Sequence, residues 1–536
     1  MDEQIIFTTN AGGSISNVHS YEQATLRQCA VGARNSAVRV GPRYLFVAQA
    51  KKALIHVYSA AYNVQRESVE QRLPLPEVVS CLEVVPRCAA PPSGGAQTHA
   101  LPALDLPYLL LASTEAGKLY VWELGSGLLL NVKPAAHYQG ITKIKSIMDG
   151  KYVVTSGKDA RVIVWQTSDL VSQAEPRPVA VLHDHTLPVT DFEVSSAHGA
   201  NLFTSGVKLY TVSKDATLRV YDLQSLVNQG NNRRRGNGNN GSNATPQLLA
   251  TFTLPYPVEC VALDPAERCV FLGTQTGCFS LQLYYKLGGN RMANLLQLSD
   301  SNMGSIYSLV EASADARDAL FAKGQLLCER LLDDSVVCLR VSMDGSIVLA
   351  GDSRGRVHVT EAFSKQVLKT LQPLSTSQTL HGEVTNILLS TYTTADSEKL
   401  SLGAGLHGAK AGGSQARGLE KLPVLQRVVF DKNDTTQKHD VWFQRGECID
   451  TGSAQTPLAD LEAYLAGVQA QESAFVELSG VSSEASAASE PSQSAIEPSQ
   501  DEVAALKQNV AALTTAYSEL RALHEQLYEE NQKLKK

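Results

Sequence analysis

No stretch of this 536-residue chain approaches the length of a membrane-spanning helix, so apolar length excludes a helical membrane protein. The opening residues, Met1-Asp2-Glu3-Gln4, are acidic and polar, and no secretory leader is expected. The nine cysteines are scattered, and no C-x-x-C pair occurs. Cys260, Cys269 and Cys278 recur at equal spacing in or beside apolar, strand-like segments. Reduced core thiols of a nuclear or cytosolic protein are therefore expected, rather than disulfides or a metal site.

Catalytic motifs are equally scarce. No nucleophile elbow, Walker loop or paired-carboxylate motif occurs. Gly403-Ala-Gly-Leu-His-Gly408 matches G-x-G-x-x-G, but it sits in a low-complexity stretch without the strand and helix that nucleotide binding needs. His183-Asp-His185 offers two imidazoles, yet a metal needs three or four convergent ligands, and no other His or Cys is close in sequence. The expectation is no enzyme, no cofactor and no metal. The net charge of −7 is unevenly placed. From Thr451 onward there are 13 acidic and five basic residues, which leaves the body near neutral. A body without a basic excess argues against a free-standing nucleic-acid binder. The one concentrated basic feature is Arg233, Arg234 and Arg235, set among Asn and Gly. It suits a phosphate contact or a nuclear-import signal, or is simply a solvated run of loop charge.

What the body does contain is a repeat. The unit is a short strand, a polar turn, and a second strand often ending in an aromatic. Copies are Tyr108–Glu123, Tyr152–Trp165 and Leu209–Asp222. Similar hairpins lie at Tyr44–Tyr58, Cys269–Leu283, Ile347–Glu361 and Ile5–His19. Most are preceded by one more β-rich strand: Ala37–Val40, Val79–Val85, Ile141–Ile147, Pro188–Val194, Pro257–Leu263 and Ser335–Ser342. The N-terminal hairpin has none before it. Its candidate partner, Val384–Leu389, lies at the far end of the body, so the last repeat is expected to be shared between the two ends. Such closure leaves no sheet unpaired. Insertions rich in small or polar residues are expected at 86–101, 228–246 and 396–419, with an ordered one at 297–332.

Beyond residue 445 the character changes. Residues 446–480 read as a post-repeat helical segment, with Leu458, Leu461, Tyr464 and Leu465 on one face. Residues 481–500 are Ser/Ala/Glu/Pro-rich and read as a disordered linker. Residues 501–536 carry Val503, Leu506, Val510, Leu513, Tyr517, Leu520, His524, Leu527, Asn531 and Leu534 at the a and d positions of a heptad. A 3.5-residue period keeps one apolar seam facing a partner helix, so a coiled coil is expected. Self-association as a parallel pair is expected, with a neighbouring subunit's helix or the chain's own body as competing partners.

The repeat resembles the WD40 family, which implies an all-β propeller, here of seven blades over residues 1–445, followed by the helical coiled coil. Asp159 and Asp215 match that family's turn aspartate, Trp165, Tyr221 and Trp122 its aromatic, and His185 its leading histidine. In such repeats these side chains brace a blade. Five segments narrow the resemblance: Arg66–Glu77, Leu106–Ile147, His183–Phe192, Gly277–Tyr284 and Tyr517–Glu530. They are similar to a fungal family, the Ipi pre-rRNA-processing WD-repeat subunit. That resemblance implies a scaffold in a Rix-type complex with a helical-repeat scaffold and another Ipi subunit. It further implies association with the pre-60S particle in the nucleoplasm and nucleolus, support for removal of internal transcribed spacer 2, and recruitment of the AAA+ ATPase midasin. A WD40 substrate adaptor of a ubiquitin ligase, or a chromatin or replication-licensing factor, is the competing reading.

Overall fold

The structure is a computed structural model that describes residues 2–19, 23–60, 67–86, 106–195, 207–223, 226, 246–287, 291–297, 305–311, 325–373, 382–392 and 421–430. These all belong to the first of two units, Met1–Gly446. The expected insertions at 86–101 and 228–246, apart from Pro86 and Pro246, that at 396–419, and the segments 446–480, 481–500 and 501–536 lie outside the described residues.

The chain builds antiparallel sheets one after another. Sheet one holds β1 (Asp2–Thr9), β2 (Gly13–Asn17) and β3 (Gln23–Leu26). Sheet two is β4 (Ala37–Val40), β5 (Tyr44–Ala48), β6 (Leu54–Ser59) and β7 (Gln71–Pro74). Sheet three is β8 (Cys81–Val85), β9 (Leu109–Ser113), β10 (Leu119–Glu123) and β11 (Leu129–Lys133). Sheet four is β12 (Ile141–Ile147), β13 (Tyr152–Gly157), β14 (Val162–Gln166) and β15 (Ala180–Leu182), with a short helix α1 (Thr167–Ser172) before its last strand.

Sheet five is β16 (Val189–Val194), β17 (Lys208–Ser213), β18 (Thr217–Asp222) and β19 (Gln247–Thr253). Sheet six starts with β20 (Val258–Leu263), β21 (Cys269–Thr274) and β22 (Gly277–Gln282). A small hairpin, β23 (Tyr284–Leu287) and β24 (Arg291–Asn294), leads to β25 (Ser305–Glu311) and β26 (Gln325–Leu332). Sheet seven is β27 (Val336–Val341), β28 (Ile347–Asp352), β29 (Val357–Glu361) and β30 (Val367–Leu371). Finally β31 (Val384–Tyr392) returns to sheet one and pairs with β1, placing Ile5 opposite Leu389 and Phe7 opposite Ile387. The two ends of the body are thus stitched together by backbone hydrogen bonds.

The segment 297–332 is partly sheet rather than a plain insertion. β26 is the outermost strand of sixth-sheet order β20-β21-β22-β26, and β25 runs parallel to both β19 and β26. Sheets five and six therefore share one nine-stranded hydrogen-bond network.

The apolar pattern follows from burial on both faces of each sheet. Ile5 and Phe7 pack with Leu349 and Val359 of sheet seven, while Ile6 between them packs with Leu45 and Val47 of sheet two. Alternate side chains of a strand point to opposite faces. Strands buried on both faces therefore read as nearly unbroken apolar runs, such as Leu109-Leu-Leu-Ala112. Each neighbouring pair of sheets encloses its own apolar cluster. The innermost strands touch in the cyclic order β31, β4, β8, β12, β16, β20, β27 and back to β31. The arrangement is propeller-like, and it surrounds an axial channel.

Candidate functional site

Of the residues expected to brace a blade, Asp159, Trp165, His185, Asp215 and Tyr221 lie in or beside sheets four and five. In sheet four, His137 Nδ1 lies 2.9 Å from Asp159 Oδ1, and its Nε2 lies 2.8 Å from Thr155 Oγ1. The indole N–H of Trp165 donates to the same Thr155 oxygen at 3.0 Å. In sheet five, His185 Nδ1 lies 3.1 Å from Asp215 Oδ2, and Nε2 lies 2.9 Å from Thr211 Oγ1. Tyr221 departs from the pattern: its hydroxyl donates to Asp184 Oδ2 at 2.8 Å. Each set ties the connection entering a sheet to the turn between its second and third strands. Burial raises both aspartates, but the His137 and His185 rings, the Thr217 hydroxyl, and the amides of Tyr138, Arg161 and Thr186 outweigh it. Both carboxyls are held below the usual range.

His137 is the bracing residue that the sequence reading missed. Its signal was present: His137 stands four residues before Ile141 as His185 stands four before Val189. With His185 engaged, His183-Asp-His185 supplies no free pair. Among the described residues no group of three or more His, Cys, Asp or Glu is placed to hold a metal ion.

Trp122 makes a different contact. Its indole N–H donates to the backbone oxygen of Gln426 at 2.8 Å, and its ring stacks on Tyr120. Gln426 belongs to a segment, Lys421–Phe430, that lies along sheets two and three. Gln71 holds it through both ends of its side-chain amide, Nε2 donating to Leu422 O and Oε1 accepting from Leu422 N. Gln426 N donates to Gly127 O, and Phe430 N to Leu129 O. Leu422 and Leu425 fill the cluster between sheets two and three, and Phe430 that between three and four. Gly127 sits at φ +76°, and a Cβ there would stand 2.5 Å from Val424 O, so this close approach requires glycine. Val424, Val428 and Val429 face outward.

The axial channel is closed at one end by the connection from β3 to β4. Arg34 donates to Glu259 Oε2 of sheet six at 3.1 Å. Asn35 donates through its side chain to Thr142 O of sheet four and accepts from Leu82 N of sheet three. Ser36 N donates to Asn386 Oδ1 of sheet one. One short loop thus bridges four sheets, one, three, four and six. Below it lies a cavity of about 570 Å³ lined by every innermost strand. Lys143 donates to Asp191 Oδ1 at 2.8 Å and to Glu193 Oε2 at 3.2 Å, and Lys145 pairs with Glu193. Cys81, Cys260 and Cys338 stand near the capped end, their thiols raised by burial. The seven cysteines among the described residues form no disulfide with one another.

The end carrying the bracing turns is chemically mixed. Tyr138 is 77% exposed, and the Arg161 guanidinium lies 4.8 Å from its ring centroid. Val78 and Leu187 are exposed on connections that lead into sheets three and five. Lys51, Lys52, Lys158 and Lys214 are exposed on turns between second and third strands. Apolar anchors among cations suit a binding surface for protein. Arg233, Arg234 and Arg235, and the heptad positions from Val503 to Leu534, lie outside the described residues.

Comparison with known proteins adds to this geometry. The WD domain, G-beta repeat family matches residues 130–166, the span that contains His137, Asp159 and Trp165. The chain is 48% identical to the pre-rRNA-processing protein IPI3 of Saccharomyces cerevisiae (strain YJM789), over 100% of this chain and 99% of that protein. It is 44% identical to the protein of the same name in Candida glabrata, again over 100% and 99%. The Candida albicans protein is 30% identical over 97% of this chain and 95% of its own.

Proposed function

Since the chain belongs to the family of the pre-rRNA-processing protein IPI3, we propose that it is a non-catalytic scaffold subunit of a Rix-type complex acting on nuclear pre-60S particles. Its broad role is rRNA processing within ribosome biogenesis. The finer reading is support for removal of internal transcribed spacer 2, alongside a helical-repeat scaffold, another Ipi subunit and the AAA+ ATPase midasin, in the nucleoplasm and nucleolus. The observation that carries it is identity at 48% over the whole chain, tail included.

The physical arrangement supports that reading. We read the ring as seven-bladed, which the cyclic contact of its innermost strands supports. A rigid ring with variable connections offers several independent binding faces. The C-terminal heptad adds valency, because joining two copies raises the effective concentration of each face without new contacts. The acidic tail argues against wrapping RNA, since like charge repels phosphate. Purification of the tagged chain tests the reading. Pre-60S proteins and precursor rRNA should accompany it, and its depletion should leave spacer-2-containing precursor accumulating. Recovery of a cullin-type ligase or of replication-licensing factors, with normal rRNA processing on depletion, would replace it with the competing adaptor or chromatin role.

A further inference from the structure

The axial cavity holds more charge than a passive pore needs. Four of the carboxylates on its wall are already engaged. Asp191 accepts from Lys143 Nζ, Phe192 N and Val261 N. Glu193 accepts from Lys143, Lys145 and Val194 N. Glu259 accepts from Arg34 and Gln275. Glu83 accepts from a backbone amide at Ser146. The cations are not all satisfied. Arg340, on β27, reaches the cavity wall and donates only to its own neighbour, Leu339 O, at 3.0 Å. Among the described residues no carboxylate lies within ion-pair distance of it. Ser146, on β12, lines the same cavity, and its hydroxyl has no partner.

We propose that this cavity is a binding site for a phosphate-sized oxyanion, held by the guanidinium of Arg340 with the Ser146 hydroxyl as a further donor. A guanidinium presents a planar fork of donors that matches two oxygens of a carboxylate or phosphate. A cavity of about 570 Å³ is of ordinary ligand-site size. Arg340 is the cation on this wall without an acidic partner among the described residues. Burial lowers the ammonium groups of Lys143 and Lys145, and repulsion from Arg340 lowers both further. Burial raises Glu83, which weakens the negative charge on the wall of sheet three. An oxyanion among these cations relieves their mutual repulsion.

Thermal unfolding and calorimetric titration of the full chain test the site. Inorganic phosphate, inorganic diphosphate and adenosine monophosphate are compared with chloride at matched ionic strength. Phosphate should bind and raise the melting temperature, and Arg340→Gln should weaken binding by at least about tenfold, the loss expected when a charge-assisted pair is removed. Binding by phosphate alone assigns a free ion, whereas tighter binding of diphosphate or adenosine monophosphate assigns a phosphate group on a larger molecule. No binding of any of the three, or binding that survives in folded Arg340→Gln, overturns the site. Should Arg340→Gln fail to fold, Arg340→Lys decides, since it keeps the charge and loses the fork. Weakened binding there supports the site, and unchanged binding overturns it.

Discussion

Arg34 and Glu259 are 225 residues apart in sequence and meet at 3.1 Å across the mouth of the axial channel. One comes from the connection between sheets one and two, the other from the inner strand of sheet six. Their side chains are 28% and 9% exposed, so the pair is mostly out of water. Removing one partner leaves a buried charge uncompensated, which costs several kcal/mol in the limit. Gln275 also donates to Glu259 and moderates that cost. Arg34→Met is expected to destabilise by about 2 kcal/mol, and Arg34→Met with Glu259→Gln by less than the sum of the two. Denaturant unfolding of the four proteins measures the coupling. Strict additivity would mean that the two side chains meet without consequence.

The closure of sheet one carries a second prediction. β31 has β1 as its ladder partner, so deletion of residues 1–21 strips it and opens the ring. The truncated chain should be protease-sensitive and associate through its bared edge, as size-exclusion chromatography would reveal. A soluble, protease-resistant truncation would show that the ring does not depend on this stitch.

Asp159 and Asp215 contribute to the acid response. Folded Asp159 and Asp215 titrate below an unfolded aspartate, whose pKa is about 3.9. Their stabilisation is therefore complete above that value and is lost as pH falls through the folded-state values. Asp215→Asn should cost about 1–3 kcal/mol at neutral pH and unfold with a shallower dependence on acid. Urea midpoints at neutral and acidic pH report both. Identical acid slopes for variant and parent would exclude Asp215 from that response.

The segment Lys421–Phe430 should come loose on demand. Trp122→Phe removes one hydrogen bond to Gln426, worth about 1 kcal/mol. Phe430→Ala removes a buried ring and should cost about 3 kcal/mol. Hydrogen exchange at Gln426 and Phe430 should rise in both variants, while β12 to β14 stay protected. Unchanged exchange would mean that other contacts hold the segment.

For the tail, Leu513→Asp with Leu520→Asp should halve the mass seen by light scattering if residues 501–536 pair with a second copy. A chain ending near Gly480 should behave the same way. Equal masses for parent and both variants would remove self-association from the account.

Much of this fold was legible because buried strands announce themselves. Ala37–Val40 and Ile141–Ile147 are strands with the expected bounds, since apolar runs between turn residues leave little choice. The outermost strands were not read. Gln71-Arg-Leu-Pro74 and Val367–Leu371 are short and half exposed, and their pairing is fixed by the neighbouring strand rather than by their own pattern. The channel cap was illegible for a related reason. Ala33-Arg-Asn-Ser36 has no periodicity, and its partners come from four different sheets. Of the hydrogen-bonded sets in sheets four and five, Asp159, Trp165, Asp215 and His185 were singled out by the resemblance to the WD40 repeat. Trp122 and Tyr221 bond elsewhere, to Gln426 O and Asp184 Oδ2.

The stitch between β1 and β31 also fixes when this protein can finish folding. During synthesis β1 leaves the ribosome first, yet its partner is made only after every other strand of the ring. Until residue 392 has emerged, the nascent chain carries an unfilled strand edge through the whole of its own translation. Chaperone demand should therefore peak late and fall abruptly at closure, and a ribosome stalled just before β31 should present an open, chaperone-bound ring.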